Sequence, residues 1–144
     1  MARNVVWTLI TLALSLVIGL PNTYAQNGVT ATVPFAFTVG GNDMPAGTYT
    51  ISSVSDSVIA IRDRDSRTGV LSLVRPEWAG SSDGTPKLVF HKYGNKYFLS
   101  QVSRGFSNAL MQLPTSKPER ELQRELQIAR TGGRPETETI VATK

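Results

Sequence analysis

Val29-Thr30-Ala31-Thr32-Val33-Pro34-Phe35-Ala36-Phe37-Thr38-Val39 is the stretch whose reading decides the fold. Its odd positions are all apolar: Val29, Ala31, Val33, Phe35, Phe37 and Val39. Its even positions are small, polar or proline. Successive side chains of a strand point to opposite faces, so this alternation predicts a half-buried β-strand. Pro34 has no N–H for a ladder, which predicts an edge position.

Working towards the C-terminus, Gly40-Gly41-Asn42-Asp43 breaks the strand, and Met44-Pro45-Ala46-Gly47 fits a type I turn. Thr48 to Ser55 resumes the alternation, with Tyr49 and Ile51 on one face. Val58 to Arg62 follows, with Ile59 and Ile61 inward. A polar connection from Arg64 to Gly69 leads to Val70 to Val74, where Leu71 and Leu73 are expected inward. Arg75 to Pro86 reads as a loop, rich in proline, glycine and serine, with Trp78 inside it.

Lys87 to Tyr93 and Lys96 to Val102 flank Gly94-Asn95, a pair that suits a type II′ hairpin. In that register Leu88, Phe90 and Lys92 share a face with Gln101, Leu99 and Tyr97. Val89, His91 and Tyr93 share the other with Ser100, Phe98 and Lys96. Large apolar groups on both faces predict a central strand pair, covered on both sides.

Ser116 and Glu119 have capping-box spacing, and Pro118 falls in the first turn. Leu122, Leu126 and Ala129 recur at helical spacing, so a helix is predicted to Arg130. Gly132, Gly133 and Pro135 stop it, and residues 131–144 read as a disordered polar tail. About six short strands followed by one C-terminal helix predict a mainly β domain, a small antiparallel β-sandwich or barrel-like fold.

Working back towards the N-terminus, Arg3 precedes an apolar stretch from Val5 to Leu20, and Pro21-Asn22-Thr23-Tyr24-Ala25 follows. This is the layout of a secretory signal peptide cleaved after Ala25. The apolar stretch is shorter than the roughly 20 residues of a membrane-spanning helix and includes Thr8, Thr11 and Ser15. The expected organisation is a signal peptide over 1–25, a β domain over 26–115, a helix over 116–130 and a tail over 131–144. The expected location is secreted or periplasmic, with no stable membrane insertion after cleavage. The chain has no cysteine, so neither disulfides nor a lipid-modified cysteine can support it.

The net charge of +4 is mild and its cations alternate with acids, as in Arg62-Asp63-Arg64-Asp65. Nucleic-acid binding requires clustered cations, so nucleic acid is not an expected partner. A single histidine and no cysteine argue against a zinc or copper site, and no cofactor is expected. Asp63-Arg64-Asp65-Ser66-Arg67 starts like a calcium loop, but Thr68 stands where glycine is needed and Val74 where glutamate is needed. It reads as a charged hairpin loop.

His91 lacks a nucleophile-elbow serine elsewhere in the sequence, and opposite Phe98 it suits an ordinary packed histidine. Trp78, Tyr93 and Tyr97 are candidates for an aromatic platform. The residues singled out for ligand contact are Trp78, His91 and Tyr93.

Val33-Pro34-Phe35-Ala36-Phe37-Thr38-Val39-Gly40 with Met44-Pro45-Ala46-Gly47-Thr48-Tyr49, the hairpin Leu88 to Ser100, and Leu113-Pro114 through Glu121-Leu122 together resemble a group of short exported bacterial proteins of uncharacterised function. That group shares a VPFxFxVG…LPAGxY pattern and a FxxYGxxYFLS-like hairpin. Met44 stands in place of the leucine of the pattern. The resemblance implies export and a single β domain, and it transfers no functional residues.

The expected function is therefore a non-enzymatic exported β domain, acting by binding or as an envelope-associated structural protein. Its expected partners are a carbohydrate, a cell-envelope component or a protein. The alternatives are a small-ligand carrier and a secreted enzyme with a dispersed active site. An interior cavity lined by Phe35, Phe37, Phe90 and Leu99 would favour the carrier. A cleft on His91 with an acid in reach would favour the enzyme.

Overall fold

Pro34 divides the stretch that reads as one strand. In the computed structural model, which describes residues 28–66, 68–78, 80, 83–105, 109–129 and 134–143, β1 (Val29–Val33) and β2 (Phe37–Val39) lie in different sheets. The inward phase survives the corner: Val29, Ala31, Val33, Phe37 and Val39 are all buried, and Phe35 is partly buried against them. Proline at the corner removes a donor that neither ladder would satisfy. The expected edge position is found, because β1 ends its sheet. The expected signal peptide lies outside the described residues.

β2 turns through Gly40-Gly41 into β3 (Asn42–Met44), with Val39 paired to Asn42. Both glycines have positive φ, at +57° and +94°, as a two-residue hairpin turn of this kind requires. The segment that reads as a break is thus a tight hairpin. β4 (Gly47–Ser55), β5 (Val58–Asp63) and β6 (Gly69–Leu73) then form an antiparallel meander, and the first sheet has the order β1-β4-β5-β6.

The inward residues of β4 and β5 are those expected: Tyr49, Ile51, Ile59 and Ile61 are buried. β6 is inverted relative to expectation. Ser72 and Val74 are buried, while Leu71 and Leu73 are each 67% exposed. Alternation forces this once Val74 is drawn into the core, because Leu71 and Leu73 fall on the opposite phase.

The segment after β6, read as a loop, begins with β7 (Arg75–Trp78). β8 (Lys87–Tyr93) and β9 (Lys96–Ser103) form the expected hairpin about Gly94, at φ +59°. Their register matches from Tyr93↔Lys96 to Phe90↔Leu99. It then slips by one, so that Val89 faces Gln101 and Leu88 faces Val102. Ser100 is the extra residue of this β-bulge.

β10 (Ala109–Gln112) joins β9 to β7, and α1 (Lys117–Ile128) follows. The expected disordered tail instead supplies β11 (Glu136–Val141), paired to β8 along its whole length. Its threonines, Ile140 and Val141 suit a strand, and β8 offers an open ladder for them. Among the described residues there are therefore eleven strands, not six.

The second sheet runs β11-β8-β9-β10-β7, with β2 parallel to β9 and β3 beyond it. β8 and β9 are central, as their two apolar faces imply. The two sheets pack into a sandwich, and β1 is joined to the residues just past β11 by two backbone hydrogen bonds of 2.7 Å between Thr30 and Thr143. Between the sheets, the ring of Phe90 meets Phe35 and Phe37 edge-on at 5.3 Å, and Phe37 meets Tyr49 at 5.1 Å. Each such buried side chain contributes about 1.5–3 kcal/mol. That is the means by which a domain without disulfides holds together.

Candidate functional site

His91 and Tyr93 are two apart on β8 and so share its outward face. Ser100 of β9, two residues on from Phe98, the partner of His91, shares that face. Helix α1 then lies over them. Glu119 and Gln123, four apart, fall on the helix face that meets the sheet. Ser116 caps the helix as expected, its Oγ accepting the Glu119 N–H at 3.4 Å. The Glu119 carboxylate, however, turns away from the cap to the sheet.

Four hydrogen bonds link these residues in a chain. His91 Nδ1 lies 2.7 Å from Glu119 Oε1, and His91 Nε2 lies 3.0 Å from Ser100 Oγ. The Tyr93 hydroxyl donates to Glu119 Oε1 at 3.2 Å and accepts from Gln123 Nε2 at 2.6 Å. A carboxylate only accepts, so His91 Nδ1 carries the proton donated to Glu119. In the neutral imidazole Nε2 then accepts the Ser100 hydroxyl proton. Every member of the network is satisfied in this arrangement. Burial pushes the Tyr93 phenol above its ordinary value, and the neighbouring Glu119 carboxylate pushes the same way, against the bond from Gln123.

Ser100, His91 and Glu119 stand in the order, and at the distances, of a serine–histidine–acid triad. Access is a separate matter. The Glu119 side chain is only 5% exposed and Ser100 as a residue also 5%, while the His91 side chain is about one-third exposed, at 31%. A hollow of about 500 Å³ runs along Leu73, Val74, Arg75 and Leu113. Another of about 460 Å³ lies by Thr38, Asp43, Tyr97 and Pro118. Neither is lined by Ser100, His91 or Glu119.

Of the residues singled out from sequence, His91 and Tyr93 come together, their rings 6.5 Å apart and both bonded to Glu119. Trp78 does not join them. It sits on β7, three strands from β8, or about 14 Å at the usual strand spacing, and it is 77% exposed. Tyr97 stacks on Phe35 at 3.8 Å instead of entering a platform. Ser100, Glu119 and Gln123 are the participants that sequence reasoning missed. The capping-box spacing does point to Glu119, but only as part of a cap.

The Asp63 loop is a capped turn. The Asp63 carboxylate accepts from Ser66 Oγ at 2.7 Å and from the Asp65 N–H at 2.9 Å, and the Ser66 hydroxyl bond, then the Asp65 amide, hold its carboxyl below the usual range. Among the described residues, no group of three or more potential ligands is placed to hold a metal ion. No described helix is long and apolar enough to cross a membrane. No family model, curated protein or solved structure matches the chain.

Proposed function

We propose that this is an exported, non-enzymatic β module that acts through its outer surface, by binding or as a structural component of the cell envelope. The observation that carries the reading is the closure of its principal polar constellation. Glu119 and Ser100 are covered by α1 and the sheet, and their hydrogen bonds are used to dock the helix. The aromatic packing of Phe35, Phe37, Tyr49 and Phe90 between the sheets supports a solid module over a carrier. The export half of the reading rests on the leader-like residues 1–25. A carbohydrate, an envelope component or a protein remain its partner classes.

The 2.7 Å and 3.0 Å contacts of His91 favour a second reading, a serine hydrolase. Labelling with a fluorophosphonate serine probe, alongside turnover of short-chain aryl esters, separates the two. The module reading expects no labelling and no turnover above a Ser100→Ala control. Labelling that disappears in Ser100→Ala would establish the hydrolase instead.

A further inference from the structure

Sheet edges left unpaired attract other strands, and proteins block them with charge, proline, bulges or cover. Four of the edges here carry such a device. β1 is joined to Thr143 and ends at Pro34. β11 carries Glu136 and Glu138, β7 carries Arg75, Pro76 and Glu77, and β3 is three residues long with Asn42 and Asp43 exposed. Among the described residues, β6 has none of these. It reads Gly-Val-Leu-Ser-Leu, without charge or proline, and ends the first sheet.

The ladder to β5 fixes which groups of β6 are free. The Val74 N–H bonds the Ser57 carbonyl at 2.9 Å, and the Asp63 N–H bonds the Thr68 carbonyl at 2.8 Å. Hydrogen-bonded pairs alternate in an antiparallel ladder, so Val70, Ser72 and Val74 direct their backbone groups to β5. Leu71 and Leu73 direct theirs to the open edge, where the Leu73 carbonyl accepts the Ser72 hydroxyl at 3.2 Å and keeps a second lone pair for a strand partner. The same two residues place their side chains on the outer face, 67% exposed each, on the sheet that also exposes Val54 at 60%.

The residues from 70 to 74 read Val-Leu-Ser-Leu-Val, the same in both directions. A twofold interface sets residue i against j and j against i. An antiparallel pairing centred on Ser72 therefore sets Leu71 against Leu73 of the other copy, twice, with Val70 against Val74. Both leucine pairs fall at hydrogen-bonding positions, so four N–H and C=O groups of each copy find partners. We infer that β6 is the self-association edge of this protein: two copies pair through Val70–Val74 and merge their four-stranded sheets into one of eight strands.

The inference rests on the reading of a module that acts through its surface, and the two fail separately. Serine labelling tests the module, while sedimentation tests the edge. Sedimentation velocity over a concentration series is expected to show a monomer–dimer equilibrium. Leu71→Lys, at an exposed position outside the core, removes leucine burial from both copies and weakens the dimer by at least about tenfold. Circular dichroism on the same samples shows whether the variant is folded. The protein has no cysteine, so Ser72→Cys gives a second, independent reading: residue 72 faces its own copy, at a Cα separation of about 4.5 Å, and oxidation cross-links the dimer. A monomer at all concentrations overturns the inference. So does a dimer that withstands Leu71→Lys, or one that cross-links through Leu71→Cys and not through Ser72→Cys.

Discussion

Replacing Glu119 by alanine tests whether the polar chain holds the helix on the sheet. Glu119 accepts from His91 at 2.7 Å and from Tyr93 at 3.2 Å, with its side chain 5% exposed. Hydrogen bonds to a charged group contribute about 1.5–3 kcal/mol each. His91 is partly exposed and recovers some of its loss to water. Tyr93 is buried and loses its acceptor, while Gln123 still donates to its oxygen. The net cost is about 3 kcal/mol, or a fall of about 10–15 °C in melting temperature for a domain of this size. Glu119→Gln keeps one acceptor oxygen and costs roughly half as much. His91→Ala removes one of the two donors to this carboxylate, with Tyr93 still donating, at about 1.5–3 kcal/mol. The double variant is then less destabilised than the sum of the singles, by about 1.5 kcal/mol, because the two residues act through one bond. Urea and thermal unfolding measure these differences, and hydrogen exchange shows whether the α1 amides open first. A cost below about 0.5 kcal/mol for Glu119→Ala, the level of an ordinary surface change, with α1 protection intact, would refute the reasoning.

The two phenols give the fold an alkaline limit. Burial raises Tyr49 and Tyr93 above their ordinary 10.0, so above about pH 10 the unfolded chain loses phenolic protons that the folded chain retains. Stability is full below that pH and falls as pH rises through the folded values. Phenolate absorbance should appear together with unfolding, and free ionisation of all tyrosines in a chain that stays folded would contradict this. Truncation after Ala129 removes β11, the buried Ala142 and the Thr143 bridge, leaving β8 with an open ladder. That loss should abolish cooperative unfolding in a domain whose whole stability is of the order of 5–15 kcal/mol; an unchanged melting temperature would show β11 to be dispensable.

Alternation carried much of the fold. From Val29 to Val39 it identified the inward side chains, although it could not show that the strand changes sheets at Pro34, because the phase continues through the corner. It failed in Val70–Val74, where both phases are apolar and period two has nothing to choose between. β7 was hidden by Pro76 and by its exposure on both faces, and β11 by Glu136 and Glu138, which make an edge strand look like a solvated tail. In the site, the shared face of His91 and Tyr93 was legible. So was the place of Ser100 on that face, but a serine facing a histidine across a hairpin is ordinary in a sequence, and its bond to His91 shows only in the structure. Glu119 fitted a local role as a cap, and only the docked helix reveals its long-range one.

The bond between Thr30 and Thr143 spans 113 positions of sequence. The hairpins β4–β5, β5–β6 and β8–β9 are local and can form as soon as each is made. Closure of the sandwich edge waits for Thr143, far along the chain from Thr30, and such distant pairings are the slow ones to form. A nascent chain thus carries its meanders early and its clasp late. A chain threaded through a membrane while still being made would reach the far side open, because the clasp cannot form until Thr143 has been added.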